Sequence, residues 1–163
     1  VIHLLSSMRI TFLSLSFLLL ISGYASAAAS SALDITCGKK LVGSAQIVNI
    51  DRILDGDTAD VVIIMQPKQF GIRKLFRYRL LGNDTPEKTG ESKPEGLKAT
   101  AAATSWLTKN KDHLIAEFYG TGKFGRALTI IRSTDNDETL NEFLIKNKHH
   151  TRGTEPYCGG RRN

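Results

Sequence analysis

What most constrains this chain is the order of its short apolar runs: three β-rich runs, a helical segment, two more β-rich runs and a second helical segment. From Leu41 to Met65 β-branched residues dominate. The turn-forming LDGDT divides them into one strand ending near Leu54 and another over Thr58–Met65. After the loop QPKQFG a third strand is predicted over Ile72–Leu81. It places Phe76, Tyr78 and Leu80 on one face and Arg77 and Arg79 on the other. SKPEGLKATAAATSWLTKN predicts a helix, with Ser92 as cap, Pro94 in the first turn, and Ala99, Ala102, Ala103, Trp106 and Leu107 at helical spacing. HLIAEFY and RALTIIRS predict strands four and five, joined by the glycine-broken GTGKFG. ETLNEFLIKNK predicts a second helix with Leu140, Phe143 and Leu144 inward, and RGTEPYCGGRRN reads as loop.

Five short strands with a helix before the fourth predict a β-rich α+β fold, a five-stranded Greek-key barrel of the OB type with two or three helices. A plain α+β sandwich is the alternative. Ahead of this domain, expected over 41–163, Met8 and Arg9 precede ITFLSLSFLLLIS and the small-residue ending GYASA. That is the pattern of a secretory signal peptide ending at Ala27. An uncleaved anchor is the rival reading, although the apolar core is short for a bilayer. Residues 1–7 precede Met8 and are expected to lie upstream of the true start. Residues 28–40 read as a flexible leader. The mature chain is expected to be secreted or periplasmic, monomeric, free of the membrane and without a stable protein partner.

Cys37 and Cys158 stand near the two ends of that mature chain. In an oxidising compartment their even count suggests one disulfide, and two unrelated thiols are the alternative. Neither has a second cysteine nearby, which disfavours a metal site there. The formal charge of +6 becomes +5 once Arg9 leaves with the signal. A basic balance admits nucleic acid as a partner and does not by itself require it.

The chemistry-bearing residues gather at strand ends. Asp55 and Asp57 flank a glycine, and Asp84 and Thr85 follow the third strand. Hard oxygen donors on two neighbouring strand ends suit a divalent cation such as Ca²⁺, although Asp and Asn also serve as ordinary turn formers. Arg79 and Arg126 offer planar guanidinium forks that match phosphate oxygens. Glu87, three residues past Asp84, is placed to accept a proton from water. The plain readings are a rim salt bridge for Arg79 and a solvated acid for Glu87. Lys123 reads equally as a phosphate contact or a solvated lysine. His149 and His150 end a helix, where a cation suits the dipole, and Trp106 reads as core.

LDGDT, YRLLGNDTPE and GKFGRAL, in that order with a helix between the second and third, resemble the staphylococcal-type thermonuclease family. LNEFLIKN resembles that family's later helix motif, and the similarity covers Ala45 to Lys148. The resemblance implies an OB-fold and Ca²⁺-dependent endonucleolytic cleavage of DNA and RNA, leaving 3′-phosphates. It implies Asp57 and Asp84 as side-chain calcium ligands, Thr85 as a carbonyl ligand and Asp55 behind them. Arg79 and Arg126 would hold phosphate, and Glu87 would be the general base. Two departures stand out. Phe124 replaces the family's tyrosine, which keeps apolar contact and loses a hydroxyl. The chain also ends in PYCGGRRN where the family has a longer helix, with Tyr157 as a candidate base-stacking aromatic and the cysteine pair as a pin for the tail.

Three function classes remain open on sequence: the nuclease, a non-catalytic OB-type nucleic-acid-binding module, and a disulfide-closed structural or toxin-like secreted domain. The last leaves the arginines and carboxylates unexplained.

Overall fold

The computed structural model describes residues 33–65, 68–151, 153 and 155–158. The expected signal segment over 1–27, residues 28–32 of the leader and residues 159–163 lie outside the described residues.

Five strands, β1 (Gly43–Ile53), β2 (Thr58–Ile64), β3 (Arg73–Leu80), β4 (Leu114–Thr121) and β5 (Ala127–Ser133), close into a barrel in the order β1-β2-β3-β5-β4. An odd number of strands cannot close with every neighbour antiparallel. The one parallel pair is β3 with β5, and the other four pairs are antiparallel. This is the OB-type Greek-key architecture. Two register shifts, between Ile47 and Asn49 and between Ile50 and Arg52, bend β1. Its first residues pair with β4 and the rest with β2.

Two helices complete the fold, α1 (Lys93–Lys109) between β3 and β4 and α2 (Leu140–Lys146) after β5. Ala99, Ala103, Trp106 and Leu107 of α1 are buried. The last three join Val61, Tyr78, Leu80 and Leu114 from the strands in one core. Small alanines let the helix axis approach the barrel closely. Tyr78 and Leu80 point inward with Phe76 partly buried, so β3 keeps the expected alternation. Thr139 caps α2 in a reciprocal pair with Glu142, and each satisfies an amide of the other. The cap shortens α2 relative to the expected 138–148. β1 starts at Gly43 rather than Leu41, because Leu41 and Val42 are exposed.

The leader differs from expectation over its described part. Ile35 is buried in a second apolar cluster with Leu81, Ile130 and Ile145, and Leu33 packs against it. Residues 33–37 are therefore docked on the barrel, not a free linker.

Candidate nucleic-acid site at the barrel rim

The C-terminal end of β3 meets the start of β2. Thr58 pairs with Arg79 in the register, which puts Asp57 beside the Arg79 guanidinium. Arg79 Nη1 lies 2.5 Å from Asp57 Oδ1, and Nη2 donates to Asp84 Oδ1 at 3.1 Å. Asp57 also accepts from the Thr58 hydroxyl (2.9 Å) and the Thr85 amide (2.8 Å), and its own amide donates to Asp55 Oδ1 (3.1 Å). The Asp57 side chain has no solvent exposure, Arg79 has 19% and Asp84 24%. Burial pushes the Asp57 carboxyl up to about 7. The Arg79 charge opposes that rise, and the neighbouring Asp55 charge adds to it.

The loop carrying Asp84 is held from behind. Gly82 has φ +77°, and a β-carbon there would stand 3.0 Å from the Ile35 carbonyl oxygen, so only glycine fits. Its carbonyl accepts from the Tyr157 amide at 2.7 Å. Asn83 Nδ2 donates to the Asn141 carbonyl. Asn141 in turn donates to the carbonyls of Leu81 and Thr129 and accepts from the Ile131 amide, all while fully buried. Thr151 donates through its hydroxyl to Asp84 Oδ2 (2.8 Å) and through its amide to the Asp84 carbonyl (2.8 Å). His150 is buried: its Nε2 donates to the Glu155 carbonyl (2.6 Å), and its Nδ1 lies 3.2 Å from the Asp84 amide. A disulfide between Cys37 and Cys158, with Cα atoms 5.3 Å apart, ties this tail to the docked leader. The tail thus does the bracing that the sequence reading gave only to the disulfide.

In front of these groups lies a cavity of about 640 Å³. Of the residues singled out in the sequence, Asp55, Arg79, Asp84, Glu87, Lys123, Arg126, Tyr157 and Cys158 line it. Asp57 and Thr85 do not; they are buried behind it. Phe124 does not line it either. It is 92% exposed at positive φ, with the Arg126 guanidinium 5.6 Å from its ring centroid. That contact orients the arginine by cation–π attraction, so Phe124 supports Arg126 in this structure. Glu87 is exposed, and its loop lies directly against α1: a β-carbon on Gly96 would come within 2.2 Å of the Glu87 carbonyl oxygen.

Three contributors were not read from the sequence. Lys39 lines the cavity because the disulfide carries the leader there, and its only sequence signal was Cys37 two positions earlier. His150 and Thr151 brace Asp84 over more than sixty residues of chain, and no local pattern marks them. For His149 burial lowers the pKa, which runs against the helix-dipole reading of a cation there.

Lys39, Lys123 and Arg126 make no ion pair among the described residues, whereas Arg79 is engaged by two carboxylates. Among the described residues no group of three or more His, Cys, Asp or Glu side chains converges as a metal cluster. No helix of the described residues is long and apolar enough to cross a membrane. Neither the comparison with protein-family models nor that with curated proteins finds a match to this chain.

Proposed function

We propose that this barrel binds a nucleic-acid strand, with a backbone phosphate in the rim cavity. The observation that carries the reading is the lining of that cavity: Lys39, Lys123 and Arg126, which among the described residues have no carboxylate partner, beside the aromatic Tyr157. Phosphate contacts supply most of the affinity for single strands, and an aromatic at the same site stacks a base. Arg126 provides a planar fork, aligned by Phe124 beneath it.

The finer proposal is hydrolysis. It rests on the motif resemblance to thermonucleases and on the charge balance around Asp57. Asp57 and Asp84 both engage the Arg79 guanidinium, Asp55 accepts from the Asp57 amide, and among the described residues the buried Thr85 hydroxyl has no partner. This surplus of hard oxygen donors fits a divalent cation such as Ca²⁺, with Asp57, Asp84 and the Thr85 carbonyl as its ligands. When bound, the ion would draw negative charge from the phosphate it faces. Arg79 and Arg126 would donate to phosphate oxygens, and the exposed carboxylate of Glu87 would accept a proton from water at the cavity. The disulfide supports an oxidising destination such as the periplasm or the medium.

A non-catalytic binding module is the second reading. It is favoured by the closed Asp57–Arg79 pair and by the lack of a three-carboxylate cluster among the described residues. One experiment separates the two: purified protein with plasmid DNA and with RNA, in Ca²⁺ or in chelator. Digestion only in Ca²⁺ establishes the nuclease, with Glu87→Gln losing rate and keeping Ca²⁺ affinity. Retarded but intact substrate establishes the module. No retardation and no digestion sinks both.

A further inference from the structure

We propose that the outward face of β3 and residues 68–72 of the β2–β3 connection form a second contact surface for the same nucleic-acid strand, running from the rim cavity to the far end of the barrel. The proposal rests on the reading of the cavity as a nucleic-acid site. Between Asp60 and Asp84 the chain carries Lys68, Arg73, Lys74, Arg77 and Arg79 and no acid. The β2–β3 register is unbroken from Thr58–Arg79 to Ile64–Arg73. Strand alternation therefore sets Arg73, Leu75, Arg77 and Arg79 in one row on the face opposite Tyr78 and Leu80. Arg73 and Arg79 end that row six residues apart, roughly 20 Å of extended strand, and Arg79 lines the cavity.

The charge along the row favours a polyanion at its outer end. At the rim Arg79 is engaged by Asp57 and Asp84; further out, Asp60 is engaged by Arg77 (2.7 and 2.9 Å) and Arg52 (3.1 Å), which leaves that trio net positive. Arg73 and Lys74 are exposed and make no ion pair among the described residues. Beside them four apolar side chains stand in solvent: Met65, Phe70 (67% exposed), Ile72 and Leu75 (56%). Leaving the Phe70 and Leu75 side chains in water contributes nothing to the stability of the barrel. A strand of nucleotides explains both features, with guanidinium and ammonium groups on phosphates and the Phe70 ring on a base. The cations are strung along β3 towards the cavity rather than ringed about the apolar tip, which matches a linear polyanion better than a lipid surface.

The test is fluorescence anisotropy in chelator, so that the probe stays intact, using a thymidine trinucleotide and a thymidine dodecamer over a salt series. The dodecamer is expected to bind more tightly and with a steeper salt dependence. Arg73→Ala should flatten the dodecamer's log–log salt slope by about 0.7, the value for one lost phosphate contact on a single strand. Phe70→Ala should weaken dodecamer binding about fivefold to a hundredfold, the range for one base stack. Neither variant should change trinucleotide binding, and Arg73→Lys should keep the slope. All these positions are exposed, and unchanged melting temperatures would show the variants folded. Equal binding of both oligonucleotides by the wild type, or dodecamer binding unmoved by the variants, overturns this surface and leaves the cavity reading standing. Binding to neither oligonucleotide removes both. Capture by phosphatidylglycerol vesicles that Phe70→Ala abolishes, with dodecamer affinity unchanged, assigns the patch to lipid and overturns the proposal.

Discussion

Replacing Arg79 with Met should destabilise the protein more at pH 8 than at pH 5, by about 1.4 kcal/mol. The Asp57 carboxylate has no exposure to water and lies 2.5 Å from its guanidinium partner. Removing one member of a buried pair costs about 3–5 kcal/mol only where the other charge must stay ionised without compensation. Asp57 has a route of escape, since burial already raises its pKa from 3.8 to about 7. The folded state therefore holds a proton on Asp57 that the unfolded chain releases. Below pH 3.8 that difference costs nothing. It accumulates as pH rises from 3.8 to about 7, reaching roughly 4 kcal/mol at 1.36 kcal/mol per unit. At pH 5 the carboxyl is already neutral in the fold, so losing Arg79 removes little beyond packing of its methylenes. At pH 8 wild-type Asp57 has mostly released its proton, while the variant, lacking the Arg79 charge, keeps it; that one unit above the wild-type pKa of about 7 adds about 1.4 kcal/mol to the variant's loss. Urea denaturation of wild type, Arg79→Met and Arg79→Met/Asp57→Asn at both pH values measures this, with the double variant expected to recover most of the loss at pH 8. A loss below about 1 kcal/mol at both pH values, or one equal at both, would refute the assignment of Arg79 as the counter-ion of a buried acid.

The disulfide closes a sequence separation of 121 residues, so Cys37→Ser/Cys158→Ser should lower stability by roughly 4–5 kcal/mol in urea, by the chain-entropy argument. A loss under about 1 kcal/mol would show that the docked leader and tail hold without it. Gly96→Ala should destabilise by about 1–3 kcal/mol, although alanine gains nearly 1 kcal/mol over glycine in a free helix. The new carbon would meet the Glu87 carbonyl at 2.2 Å, so a rise in melting temperature would contradict the close approach. Arg77 and Arg52 hold the Asp60 carboxyl below its ordinary range. Its contribution to stability is present above about pH 4 and disappears as pH falls through the lowered pKa. Acid titration by circular dichroism should therefore show Asp60→Asn losing less stability below pH 4 than the wild type, and identical acid limbs would refute the pairing.

How much could be read from the sequence depended on how local each physical cause is. The barrel was legible because period-two alternation in RKLFRYRL and the spacing of Ala99, Ala103 and Trp106 are properties of neighbouring residues, and burial of those faces leaves few ways to close the sheet. Arg79, Asp84 and Glu87 were legible for the same reason, since one strand and its turn deliver all three to one cavity. The separation of Asp57 from that cavity was not. It depends on Thr85 donating an amide from a different loop and on Arg79 reaching across from the paired strand. The bracing by His150 and Thr151 was illegible too, because a hydrogen bond to a loop sixty-six residues earlier leaves no periodicity in either segment. The position of Phe124 was not legible either. A conservative aromatic beside Arg126 invites a role against substrate, yet its positive φ turns it outward to lie beneath the arginine. Side chains that a strand carries into a site can thus be named from sequence. Whether their charges stay free is decided by which remote groups have already engaged them, and among the described residues that leaves Lys39, Lys123 and Arg126, rather than Arg79, without an ion pair.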